Sequence, residues 1–178
     1  MKILHVTPLY EPAWSAGGVV RGTSLLCRAL SRLGLDVTVY TTDSSGNRRL
    51  DVPVNQPVDV GGVRVFYFHA DTLGGFCYSR ALSVACRETL GRFDLMHLAA
   101  IWNYPGIVAS SQARKQKLPY VVSTDGALQE GALKQKRLKK WIFLKVFVMS
   151  QLRGAAAIRY VSELERERTV AGDCTSIS

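Results

Sequence analysis

Short runs rich in β-branched residues alternate with longer stretches of helical apolar spacing, and this alternation restricts the fold more than any other feature of the chain. KILHVT (2–7), DVTVYTT (36–42), VRVFYF (63–68), DLMHLA (94–99), PYVVST (119–124) and AAIRYV (156–161) read as strands. Residues 17–34, 79–93, 105–117, roughly 128–153 and 162–170 read as helices. In the first of these, Val19, Leu26, Ala29, Leu30 and Leu33 fall on one helical face, and Gly34 suits the C-terminal stop. Ser162 and Glu165 have the spacing of a capping box. Strands joined by helical crossovers run parallel, and the crossovers are right-handed. The expected architecture is therefore an α/β fold: a doubly wound, mainly parallel sheet flanked by helices on both faces. The polar segment DSSGNRRLDVPVNQPVDVG (43–61) is expected to be irregular, a connection long enough to suggest a functional loop.

At 178 residues the chain suffices for one well-buried domain and falls short of two ordinary ones. Its 47% apolar and 21% charged content excludes disordered and fibrous classes. The net charge of +9 favours anionic partners: nucleotides, phosphates, nucleic acid or acidic headgroups. Nucleic acid is set aside, because basic residues do not interleave with aromatic ones as in single-strand binders. Cys27, Cys77, Cys86 and Cys174 are widely spaced and form no C-x-x-C pair, which reads as reduced thiols of a cytoplasmic protein. The apolar N-terminal stretch is too short for a signal peptide. The longest apolar run, WIFLKVFVMSQL, contains Lys145 and falls short of the ~20 residues of a bilayer span.

In open α/β sheets ligands bind beyond the carboxyl ends of the strands, so the segments just after each strand carry the candidates. Gly17 and Gly18 follow the first strand and open a helix. Lacking Cβ atoms, they let an anion approach the backbone, and the helix N–H groups favour negative charge. A flexible turn before the helix is the plainer reading, since Gly-Gly is common in loops. GGVVRG is not the dinucleotide fingerprint, and no Walker A motif is present. Asp125 and Gly126 follow the fifth strand, where a reacting carboxylate would be presented; an Asp-Gly turn is the plainer reading. Trp102 and Asn103 offer a stacking face and amide donors suited to a sugar ring, although a Trp there also serves as core filler. His97 lies within its strand and reads as structural. Lys134, Lys136, Arg137, Lys139 and Lys140 precede an apolar run, so 134–145 suits either an anionic membrane surface or a solvated helix face. No His/Cys spacing for a metal, no G-x-S-x-G elbow and no Cys/His dyad occurs.

Taken in order, these pieces resemble the N-terminal domain of group 1 (family 4) retaining glycosyltransferases of the GT-B fold. The resemblance is carried by Pro8, Gly17-Gly18, Gly34, VTVYTT, DLMHL, Trp102, PYVVS, DGAL, Lys134 with Lys140, the AAA of 155–157 and the SELE of 162–165. Each piece is weak alone; their order is specific and spans nearly the whole chain. The resemblance implies a Rossmann-like domain, 1–178, forming the acceptor side of a cleft. It also implies a second domain that holds a nucleotide-sugar donor as co-substrate. The Gly17-Gly18 loop would close near the donor diphosphate. Trp102, Asn103, Asp125, Gly126 and Lys134 would line the acceptor side. No metal is expected, and a glycan or lipid-linked acceptor is implied.

The chain departs from that pattern in two ways. Asp125 stands where the family has a His that contacts the transferring sugar, so a catalytic role does not carry over to it directly. The chain stops at Ser178, so the donor domain is expected to be absent, as in a truncated product or half of a two-chain enzyme. By itself the chain is expected to be inactive. The alternative is a noncatalytic module that binds a glycan or a partner chain.

Overall fold

The computed structural model describes residues 1–125, 147–160 and 162–163. The elements in chain order are β1 (Lys2–Val6), α1 (Gly18–Arg32), β2 (Asp36–Thr42), β3 (Ser44–Ser45), β4 (Arg48–Arg49), β5 (Pro57–Asp59), β6 (Arg64–Phe68), α2 (Arg80–Thr89), β7 (Leu95–Ala99), α3 (Tyr104–Gln116), β8 (Tyr120–Ser123), α4 (Met149–Arg153) and β9 (Ala157–Arg159). Seven strands form one sheet in the order β5-β6-β2-β1-β7-β8-β9. All neighbours run parallel except the edge strand β5, which is antiparallel to β6. Strand order reverses between β1 and β7, so the crevice of a doubly wound fold lies above their carboxyl ends. The Rossmann-like, mainly parallel sheet is as the sequence pattern indicates.

The strands are central because they are apolar on both faces. In β1 every residue after Lys2 is buried, and in β2 every residue after Asp36. The pleat then sorts their side chains. Leu4, Val6, Tyr40, Phe68, Met96 and Leu98 pack with Leu82 and Cys86 of α2 and Ala109 and Ala113 of α3. Val37, Val39, Val65 and Tyr67 pack on the other face with Cys27 of α1. Helix boundaries follow local chemistry. Ser79 caps α2 by accepting from the Leu82 N–H at 3.2 Å. Asn103 caps α3, whose first turn contains Pro105.

Two expectations need correction. The apolar face assigned to α1 is not its buried face: Val20, Thr23, Ser24 and Cys27 are buried, while Leu33 is 78% and Val19 36% exposed. The buried side lies over a polar rim, where Ser24 bonds the buried Glu11 carboxylate at 2.8 Å, so small polar residues fit there. The 43–61 segment is also more ordered than its composition suggested. It contains β3, β4 and β5 and is fastened by Asp43, whose carboxylate accepts from Arg49 Nη1 (3.1 and 3.0 Å) and the Ala70 N–H (2.8 Å). Most of the helix expected over 128–153, the basic stretch 134–145, Glu165 and Cys174 lie outside the described residues. Cys27, Cys77 and Cys86 are buried and unpaired.

Candidate functional site

A cavity of about 380 Å³ opens at the carboxyl ends of β7, β8 and β9. One wall is the first three turns of α1: Gly18, Val19, Gly22, Thr23 and Leu26. The other is the sheet, through His97, Ala99, Ser123 and Arg159, with Asp125 at the loop after β8. This explains two of the apolar residues left out of the core on α1. Val19 and Leu26, seven apart, face the cavity, and Gly18 and Gly22, four apart, leave it open. A second cavity, about 700 Å³, lies on the aromatic face of β2 and β6 beside α2. It runs along the sheet face from Lys2, Asp36 and Arg64, the first residues of their strands, to Phe68, the last residue of β6.

Gly17 is the N-cap of α1, with φ +83° and ψ −143°, a conformation that only glycine adopts without strain. Helix α1 has no side-chain cap and no acidic residue in its first turn, so no local carboxylate offsets the positive end of its dipole. Asp125 is held in the left-handed region (φ 48°), and its Oδ2 accepts from the N–H of Ala100 at 3.2 Å. Ala100 is left-handed too (φ 63°). Two non-glycine residues in this conformation, tied together just after adjacent strands, place backbone strain at the cavity rim.

Beneath the rim a polar row crosses the sheet sideways. Arg159 Nη1 donates to Ser123 Oγ at 3.3 Å, Ser123 Oγ is 2.8 Å from His97 Nε2, and His97 Nδ1 is 2.8 Å from His5 Nδ1. Burial, and then the Arg159 charge, push His97 down to about 4. Burial, His97 and Arg159 together hold His5 well below the usual imidazole range. Both rings are neutral near pH 7, so Arg159 carries the row's one positive charge.

The structure brings Gly18 and Asp125 to one cavity, with Gly17 one residue behind as the helix cap. It does not bring Trp102 or Asn103 there. Trp102 is half-buried against the core. Asn103 is buried and its amide is spent on the cap: Oδ1 accepts from the Gly106 N–H at 2.8 Å, and Nδ2 donates to the Ala100 carbonyl at 3.0 Å. An Asn directly before Tyr-Pro-Gly is a cap signal legible in sequence, and it competes with the ligand role. Gly126 and Lys134 lie outside the described residues. Gly22, Thr23, Leu26, Ser123 and Arg159 are cavity residues that the sequence reading did not single out. His97, read as structural, is both hydrogen-bonded and part of the cavity wall. Among the described residues no helix is long and apolar enough to cross a membrane, and no group of three His, Cys, Asp or Glu could hold a metal.

Solved structures share the fold at low identity. UDP-GlcNAc 2-epimerase from Methanocaldococcus jannaschii superposes with a TM-score of 0.57 at 10% identity, over 97% of this chain and 43% of its own. Sucrose-phosphate synthase from Thermosynechococcus elongatus gives 0.56 at 12% identity, over 94% and 44%. A trehalose-6-phosphate protein from E. coli bound with UDP-2-fluoro glucose gives 0.55 at 12% identity, over 98% and 42%. The chain thus spans less than half the length of these structures. No curated protein matches the sequence. The model of the glycosyl transferase 4-like domain matches residues 17–173, from the helix-capping glycine to beyond β9, and the chain belongs to that family.

Proposed function

We propose that this chain is the acceptor-side, N-terminal domain of a retaining glycosyltransferase, which moves a sugar from a nucleotide-sugar donor to a glycan or lipid-linked acceptor. The observation that supports this reading most is the cavity itself, at the carboxyl edge beside the point where strand order reverses, between the start of α1 and Asp125. In this reading the uncapped start of α1 faces the donor diphosphate across the cleft. The donor site belongs to a second domain, on a further segment or another chain. Asp125 accepts a hydrogen bond from a sugar hydroxyl and, as a carboxylate, favours positive charge developing at the transferring carbon. No metal or other cofactor takes part. The protein works in the cytoplasm, where residues 134–145 contact anionic headgroups, and nucleic acid is not a partner.

Release of nucleoside diphosphate from nucleotide sugars tests this reading, with the chain alone and fused to a donor domain of the same family. No turnover is expected alone, and turnover is expected from a fusion, with a loss on Asp125→Ala. Turnover by the chain alone would overturn the placing of the donor site elsewhere. A second reading, a noncatalytic glycan-binding module, draws on the engagement of the Asp125 carboxylate by the Ala100 N–H. Glycan binding without turnover in any fusion would favour it.

A further inference from the structure

Arg159 is the part of the cavity that the acceptor-side reading leaves without a task. It ends β9, in register with Ser123 of β8, which is itself in register with Ala99 of β7. Its side chain lines the cavity and its residue is exposed. Ser123 Oγ takes one of its five N–H donors and anchors the guanidinium against the strand. Among the described residues Arg159 forms no ion pair. Asp125 lines the same cavity. Val19, Leu26 and Ala99 add apolar surface to the same lining. An occupant matching this arrangement has hydroxyls for Asp125, a C–H face for the apolar wall and an anionic group for the guanidinium fork.

We infer that Arg159 is the anion-recognition residue of this cavity, and that the acceptor is a sugar bearing a phosphate or carboxylate group. The inference rests on reading the cavity as the acceptor wall. Ser123 is a positioning residue, acting through the guanidinium it holds.

Titration of the isotopically labelled chain with glucose, glucose 6-phosphate, glucuronate and inorganic phosphate tests this, followed through the amides of Gly18, Ala99 and Asp125. At least one anionic sugar is expected to bind roughly tenfold tighter than glucose. Which of the two binds tells a phosphate acceptor from a uronic acid. Arg159→Gln is expected to bring that affinity down to the glucose level, and Arg159→Lys to keep part of it. Should Arg159→Gln not fold, Ser123→Ala is expected to lower the preference instead. Equal binding of neutral and anionic sugars overturns the inference and leaves the acceptor wall standing. So does a preference that survives Arg159→Gln. Inorganic phosphate binding as tightly as the anionic sugars overturns the sugar assignment. If none of the four moves those amides, the acceptor-wall reading falls as well.

Discussion

His5 and His97 face each other across neighbouring parallel strands with their Nδ1 atoms 2.8 Å apart and ring centroids 4.5 Å apart. Such a contact holds a single proton: one nitrogen donates and the other accepts. Two charged rings cannot sit in this register, and burial opposes even one. Stability is therefore linked to pH.

The sign follows from proton counting. Unfolded, His97 titrates near 6.5; folded, at about 4. Below 6.5 the unfolded chain binds a proton that the fold refuses, so stability present above 6.5 is lost as pH falls toward 4. The difference for His97 amounts to about 3 kcal/mol, and His5 adds in the same direction. Urea unfolding at pH 7, 5.5 and 4.5 measures it. His97→Asn is expected to flatten the slope relative to wild type; identical slopes would rule out the pair as its source.

The buried Glu11 carboxylate accepts from Arg28 Nη2 at 2.8 Å and from Ser24 Oγ at 2.8 Å, and the Tyr67 hydroxyl donates to the Glu11 carbonyl. This knot ties the loop after β1 to α1 and to the sheet. Arg28→Ala strands the carboxylate and is expected to cost ~1–3 kcal/mol, moderated because Arg28 is partly exposed. Denaturant midpoints report it. A loss under 0.5 kcal/mol, the usual scale of a surface change, would show that the pair contributes little.

The two glycines at the start of α1 are expected to separate. Gly17→Ala forces a side chain into φ +83° and is expected to cost ~1–3 kcal/mol. Gly18 has ordinary φ, and a Cβ there meets nothing within 4 Å. Gly18→Ala is therefore expected to keep the melting temperature while weakening the binding of sugars in the cavity it lines. Calorimetry paired with the sugar titration separates the two effects. Equal melting losses would show that the backbone conformation is not what singles out Gly17.

Asn103→Ala removes the cap of α3 and the bond to the Ala100 carbonyl. The expected loss is about 1 kcal/mol, with Asn103→Asp or Asn103→Ser recovering part of it, since both still accept from the Gly106 N–H. Chemical denaturation of the three variants checks this. No recovery by either residue would argue against capping as the function of this side chain.

The sequence by itself determined the principal strands and helices, because each rests on local chemistry, while the short strands β3, β4 and β5 were not legible in it. The apolar run of KILHV, Ser79 before α2 and Asn103 with Pro105 before α3 act within a few residues of themselves. The order of those elements, together with the parallel-crossover rule, carried the reading to a doubly wound sheet and to the strand ends as the place to look, where Gly18 and Asp125 are found. Tertiary structure decided which side chains meet there. Leu26 could be read as core from helical spacing, and only the seating of α1 on β2 and β6 turns it to the cavity. Arg159 and Ser123 are 36 residues apart, and His97 and His5 are 92 apart. Strand register across the sheet joins them, and register is set by the packing of the whole domain, which no local pattern encodes.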